Sequence, residues 1–148
     1  MVGDTLEEFV HHILDCTSDI FMPQGPRRTA ASQIDNFVLV TANQSYLKDW
    51  GTHFIVECKN WNDKMDKPSV SDFAMKMEHT KCRVGLVFSR KGVTGHEFTD
   101  ARAQIIKEGI RGKFILVIDE KDMEQLATGY NLFVLLQKKY SDRLASLA

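Results

Sequence analysis

The chain has 148 residues, 43% apolar and 26% charged, which is the make-up of an ordinary globular protein; one domain over residues 1–148 is expected, with a core that needs no disulfide or structural metal. Three widely spaced cysteines, Cys16, Cys58 and Cys82, exclude a full disulfide framework and any CxxC zinc or redox motif. The apolar runs are too short to span a bilayer, and Asp4, Glu7 and Glu8 stand where a signal peptide would be basic, so a cytoplasmic protein with no membrane contact is expected. A net charge of −1 excludes nucleic-acid binding by bulk electrostatics alone, yet twelve Lys/Arg face eight Asp/Glu in residues 51–113 while residues 1–50 are net −4, which leaves room for a local basic face.

In chain order, Asp4 to Cys16 reads as a helix: Leu6, Phe9, Val10, Ile13 and Leu14 recur at helical spacing, and Thr5 with Glu8 has the form of a capping box. Glu7 lies on the border of that apolar stripe and has two readings, a helix-start acid favoured by the macrodipole or an inward-facing site residue. Ser18 to Met22 reads as a short strand, and Pro23 confines it to a sheet edge. Gln24 to Gln33 reads as a loop in which Arg27 and Arg28 are either solvated or a grip for phosphate.

Ile34–Thr41 and His53–Lys59 read as two strands joined by the polar segment Ala42–Gly51 in a hairpin. After a polar loop from Asn60 to Pro68, Ser69 or Ser71 caps a helix that carries Val70, Phe73, Ala74 and Met77 and runs to about Lys81. The continuous apolar run Val84–Phe88 marks an interior strand. Thr94 with Glu97 opens a helix carrying Phe98, Ala101, Ile105 and Ile106 that stops at Gly109. Phe114–Ile118 is a second buried strand, Asp119 or Asp122 begins a short helix with Met123 and Leu126, and Leu132–Leu147 is a last amphipathic helix. The order predicts an α/β fold with a mixed sheet covered by helices on both faces.

The most informative stretch is His53-Phe54-Ile55-Val56-Glu57-Cys58-Lys59, because side chains alternate along a strand and Glu57 and Lys59 therefore share one face. A symmetric hairpin centred between residues 46 and 47 sets position 35 opposite position 58 and brings Asp35 beside that pair. Two carboxylates and a lysine at adjacent strand ends are the groups needed to hold Mg²⁺ and activate water against a phosphodiester. Gln33, on the face of Asp35, is either a substrate contact or a solvated residue. The chain holds a second acid-x-Lys, Asp119-Lys121, but it sits where a strand gives way to a helix and capping accounts for it. His11 and His12 face different ways on their helix, and His53, His79 and His96 are isolated, unlike a metal-binding set.

Ile34-Asp35, Phe54-Ile55-Val56-Glu57-Cys58-Lys59-Asn60-Trp61, and Gly85-Leu86-Val87-Phe88-Ser89 followed by Gly92-Val93-Thr94 resemble the restriction-endonuclease-like superfamily with its PD-(D/E)xK active site, with the Mrr-like restriction endonucleases as the nearest branch. The similarity runs from Leu6 to about Leu126. It implies an αβββαβ nuclease core, with Asp35 and Glu57 as metal ligands, the backbone carbonyl of Cys58 as a further ligand, Glu7, the acid of the first helix, as a fourth metal-site residue, and Lys59 beside the attacking water. It also implies Mg²⁺ as cofactor with Mn²⁺ able to substitute, and DNA as partner, and it leaves open a homodimer, an additional recognition domain or a partner subunit. The chain departs from the pattern at Ile34, where the motif has proline, and lacks the usual glycines before Asp35. The function expected is a Mg²⁺-dependent endonuclease acting on DNA. The rivals are a nuclease-fold module that binds nucleic acid or a protein partner without cutting, and a nucleotide-binding domain using Gly92-Val93-Thr94-Gly95, a turn that lacks both GxGxxG and a P-loop lysine.

Overall fold

The computed structural model describes residues 2–17, 20–28, 32–41, 47–59, 62–93 and 100–147. Helix α1 (Val2–Asp15) is followed by strands β1 (Phe21–Pro23), β2 (Arg27–Arg28), β3 (Gln33–Ile34), β4 (Asn36–Val40) and β5 (His53–Cys58). Then come α2 (Lys67–His79), β6 (Val84–Phe88), α3 (Asp100–Ile110), β7 (Phe114–Ile118), α4 (Glu120–Ala127) and α5 (Leu132–Ala145). The main sheet has the order β1-β4-β5-β6-β7, antiparallel from β1 to β5 and parallel from β5 to β7. Its α1-β1-β4-β5-α2-β6 portion is the predicted αβββαβ core. Among the described residues no helix is long and apolar enough to cross a membrane.

Alternation along the strands builds two cores. Phe54 and Val56 of β5 join Leu86 of β6, Leu116 of β7, Leu6, Val10 and Leu14 of α1, and Leu136 of α5 in one layer. Ile55 of β5, Val87 of β6 and Ile115 of β7 pack with Phe73 and Met77 of α2 and Ile105 of α3 in the other. All five residues of β6 are buried because helices cover both of its faces, which is why its sequence is an unbroken apolar run.

Several local expectations change. Helix α1 begins at Val2, so Thr5 is interior to it and the Thr5–Glu8 capping box does not start it. The segment expected as a loop contains a two-residue ribbon, Arg27 opposite Ile34 and Arg28 opposite Gln33. Helix α2 begins three to five residues earlier than a cap at Ser69 or Ser71 would place it, since Asp66 is its cap and accepts the Ser69 N–H at 2.9 Å, with Pro68 in the first turn. Asn60, Trp61 and the Thr94–Glu97 capping box, with Phe98, lie outside the described residues.

The hairpin register also differs by one residue. Asn36 pairs with Val56 and Phe37 with Ile55, which sets position 35 level with Glu57 rather than with Cys58. The described part of the connection accounts for this: a 3₁₀ turn, Leu47–Trp50, buries Leu47 and Trp50 in the core before β5 starts, while residues 42–46 of the expected loop lie outside the described residues. The expected edge strand is present but shorter than Ser18–Met22: it spans Phe21–Pro23 with Pro23 as its last residue, and Ser18 and Asp19 lie outside the described residues.

The distance of α2 from the sheet is set at Gly85. A Cβ there would lie 2.5 Å from a Phe73 ring carbon and 2.9 Å from Met77 Sδ, so only glycine lets that helix approach so closely. Gly85→Ala is expected to cost about 1–3 kcal/mol by overpacking, read from urea denaturation, and Phe73→Leu in the same chain should recover part of the loss. Equal stability of Gly85→Ala and the parent would contradict this packing.

Candidate active site

The site grows from the C-terminal end of β5. Phe54 and Val56 anchor that strand in one core and Ile55 in the other, so the next residue in the Ile55 series, Glu57, emerges on the α2 side. There Lys76 of α2 donates to Glu57 Oε1 at 2.8 Å, with the two side chains 23% and 19% exposed. Lys59, one step beyond the strand, turns the same way and donates to Ser69 Oγ at 3.0 Å. Ser69 Oγ in turn donates to Asp66 Oδ1 at 2.6 Å, and this hydroxyl together with the Ser69 backbone N–H holds the Asp66 carboxyl below the ordinary carboxylate range. The expected shared face of Glu57 and Lys59 is therefore present.

Asp35 occupies the bend between β3 and β4. Its Oδ2 accepts the Cys58 N–H at 2.8 Å. Burial raises its carboxyl above the ordinary value, the Cys58 hydrogen bond opposes that, and the Glu57 charge adds to the rise. Asp35 shares a narrow crevice with Gln33, Glu57 and Lys76. On the α1 side it also borders a cleft of about 440 Å³ with Glu7, His11 and Asn36.

Glu7 thus approaches from the α1 side and Glu57 from the α2 side, and Asp35 lies where the two sides meet. Burial, followed by the charges of Asp35, Glu7 and Glu57, pushes the Cys58 thiol well up, so it stays protonated. Gln33 is exposed and lines a second cleft, of about 410 Å³, with Glu57, Lys59, Ser69 and Lys76. Among the described residues, no three His, Cys, Asp or Glu side chains are grouped closely enough to hold a metal ion by themselves.

Residues 2–127 match the model of a family described as restriction endonuclease, the Mrr catalytic type. The chain belongs to that family. Searches of curated proteins and of solved structures return no match. The match on this restriction endonuclease domain runs from the start of α1 to the end of α4 and leaves α5 outside it.

The second acid-x-Lys of the restriction endonuclease domain is a cap. Asp119 Oδ1 accepts the Asp122 N–H and Asp122 Oδ2 accepts the Asp119 N–H, both at 3.0 Å. Burial pushes the Asp119 carboxyl up, but its hydrogen bonds to Asp122 and the Lys139 charge outweigh that and leave it low. A larger cleft, of about 600 Å³ between α3 and α5, includes Asp119 but none of Glu7, Asp35, Glu57 or Lys59.

Sequence reasoning missed Lys76 and the Asp66–Ser69 support of Lys59. A signal was present. Ser69, Phe73 and Lys76 follow the i, i+4, i+7 spacing of one face of α2, so Lys76 falls on the sheet-facing side where a solvated lysine is out of place.

The raised carboxyl of Asp35 has a signed consequence. A carboxyl with a folded-state pKa above its unfolded value costs stability once ionised, a cost absent below the unfolded pKa and complete above the folded one. Asp35→Asn keeps an acceptor for the Cys58 N–H and removes that charge. Without metal it should raise the urea midpoint at pH 7 and leave it unchanged near pH 3; a lower midpoint at pH 7 would contradict the assignment.

Proposed function

We propose that this domain hydrolyses DNA phosphodiester bonds in a Mg²⁺-dependent reaction, with Asp35, Glu57 and Lys59 as catalytic residues. The observation that carries the reading is their convergence at one end of β5 in a chain of the restriction endonuclease family. The donor set fits a hard cation. Asp35 is a half-buried carboxylate destabilised by burial and by Glu57, and Glu57 already attracts a cationic side chain, so the pair favours added positive charge.

Asp35, Glu57 and the Cys58 main-chain carbonyl would hold Mg²⁺, or Mn²⁺ in its place, with Glu7 adding negative charge from α1 and water filling the remaining positions. When bound, the ion supplies charge neutralisation and a water of lowered pKa. Lys59 would orient the attacking water and offset charge growing on the phosphoryl oxygens as the new P–O bond forms and the ester P–O bond breaks. Ser69 and Asp66 hold the Lys59 ammonium beside the cleft until substrate arrives. Gln33, at the cleft mouth, hydrogen-bonds a phosphate oxygen. The competing reading, a nuclease-fold module that binds without cutting, draws on the Lys76–Glu57 pair, which neutralises a carboxylate the reaction needs.

The test is plasmid cleavage by the purified chain. Nicking or cutting is expected with Mg²⁺ or Mn²⁺ and its loss with EDTA; robust cleavage in EDTA would refute the mechanism. A folded, metal-saturated protein that leaves duplex, single-stranded and junction DNA intact would establish the binding module instead.

Substitutions separate chemistry from stability. Lys59→Ala should lower the cleavage rate ~10²–10³-fold, the usual effect of removing one charge-stabilising donor, and Glu57→Ala by at least as much. Asp119→Ala should cost about 1 kcal/mol of stability as a lost cap, and both it and Lys121→Ala should still cleave. Near-normal cleavage by Lys59→Ala beside inactive but folded Asp119→Ala or Lys121→Ala would assign the site to the other pair.

A further inference from the structure

The two lysines of the cleft are held differently. Lys59 rests on a neutral hydroxyl, Ser69 Oγ, whereas Lys76 lies directly on a carboxylate that the proposed reaction requires, 2.8 Å from Glu57 Oε1. The Lys76 charge also acts on Asp35, and more strongly than that of Lys59. Both members of the Lys76–Glu57 pair are about four-fifths buried, so neither charge is well solvated, and removing one would leave the other without compensation.

We propose that Lys76 is the resident counter-ion of the site: it is a positioning residue that holds the Glu57 carboxylate in the metal-free protein and gives it up when a divalent cation is taken up. This inference rests on the reading of Glu57 as a metal ligand. A cation about 2.1 Å from Glu57 Oε1 would stand within about 5 Å of the ammonium in its present place. The two positive charges compete for one carboxylate. By linkage, whatever Lys76 contributes to holding Glu57 is subtracted from metal affinity, and metal weakens the lysine contact by the same factor. Asp72, four residues earlier on α2 and in the same cleft, is at the spacing where a displaced Lys76 finds a second carboxylate. The site thus stays organised without metal, at the expense of binding metal less tightly.

The experiment measures Mn²⁺ binding by the full chain, by electron paramagnetic resonance titration, together with thermal melting in metal-free buffer. Lys76→Met should bind Mn²⁺ about tenfold more tightly than the parent, within the usual range of coupling between competing sites, and melt at a lower temperature without metal. Lys76→Gln, which retains a hydrogen-bond donor for Glu57 but no charge, is the second variant should Lys76→Met fail to fold, and should show the same gain in affinity. Lys76→Arg should stay near the parent in both readouts. Lys59→Met removes the same charge from the same cleft without freeing Glu57, so its gain should be smaller.

Unchanged or weaker Mn²⁺ binding by folded Lys76→Met or Lys76→Gln, beside a parent that binds, would overturn the counter-ion role and leave the proposed function standing. An equal gain in Lys59→Met would also overturn it, by reducing the effect to general electrostatics. No binding by the folded parent or any variant would overturn the metal-bearing reading of Glu57, and the role of Lys76 with it.

Discussion

The hydrogen bond from the Cys58 amide to Asp35 Oδ2 is the tie on which the site depends. β4 and β5 share a ladder as far as Asn36 and Val56, and there the chain bends: Ile34 enters the core under α2 and α3, while Asn36 is buried and accepts the Gly25 N–H at 3.0 Å. On its other edge β5 continues beside β6, where the Lys59 amide bonds Phe88 O at 2.9 Å. The Cys58 amide points back toward β4 just where that ladder has stopped. A half-buried amide without an acceptor is costly, and Asp35 supplies one from its side chain. One carboxylate oxygen thus completes the sheet while the residue that bears it is fixed level with Glu57.

That structural use of an acid differs from its use at Asp119. Both are aspartates with carboxylates that accept backbone N–H groups, and burial pushes both upward. Asp119 has Asp122 donors and the Lys139 charge beside it, and its carboxyl ends low, as befits a satisfied cap. Asp35 has one donor and a neighbouring Glu57, and it ends high. A carboxylate left in such a balance favours added positive charge, which is the physical difference between Asp119 and the aspartate beside the Glu57–Lys59 pair. Lys76 provides part of that charge to both Asp35 and Glu57 from a helix that can approach only because residue 85 has no side chain.

Elements are legible in the sequence where burial alone decides them. Val84–Phe88 and Phe114–Ile118 are buried strands because helices cover both faces, and such strands leave unbroken apolar runs. The alternation of Phe54, Val56 and Cys58 against Ile55 and Glu57 is equally plain, since each set packs into its own layer or points to its own side. What escapes is decided by contacts distant in sequence. The hairpin register depends on Trp50 being drawn into the core, a tertiary effect that no count of loop residues contains. The two-residue ribbon β2–β3 is too short to leave a period, and the start of α2 goes to Asp66 because its carboxylate accepts from both the Ser69 backbone and the Ser69 hydroxyl. Lys76 is hidden by the apolar residues around it: on a helix read only for its stripe, one lysine looks like noise until the facing strand is seen to carry Glu57.

The helix beyond the family match is tied into the same architecture. Leu132, Leu135, Leu136 and Tyr140 of α5 are buried in the layer that contains Leu86, Phe114 and Leu116. Tyr140 meets the Phe114 ring edge-on at 5.6 Å and lies 5.8 Å from Trp50. Trp50 packs edge-on against Phe54 at 5.4 Å, and Phe54 is three residues before Glu57 on the same strand. Packed interiors deform little, so a contact chain from α5 through Trp50 to β5 constrains where that strand lies against β4. The register that sets position 35 level with Glu57 is therefore held from two directions: by the Asp35–Cys58 hydrogen bond at the site itself, and by an aromatic cluster completed by a helix outside the part of the chain that carries the family's pattern.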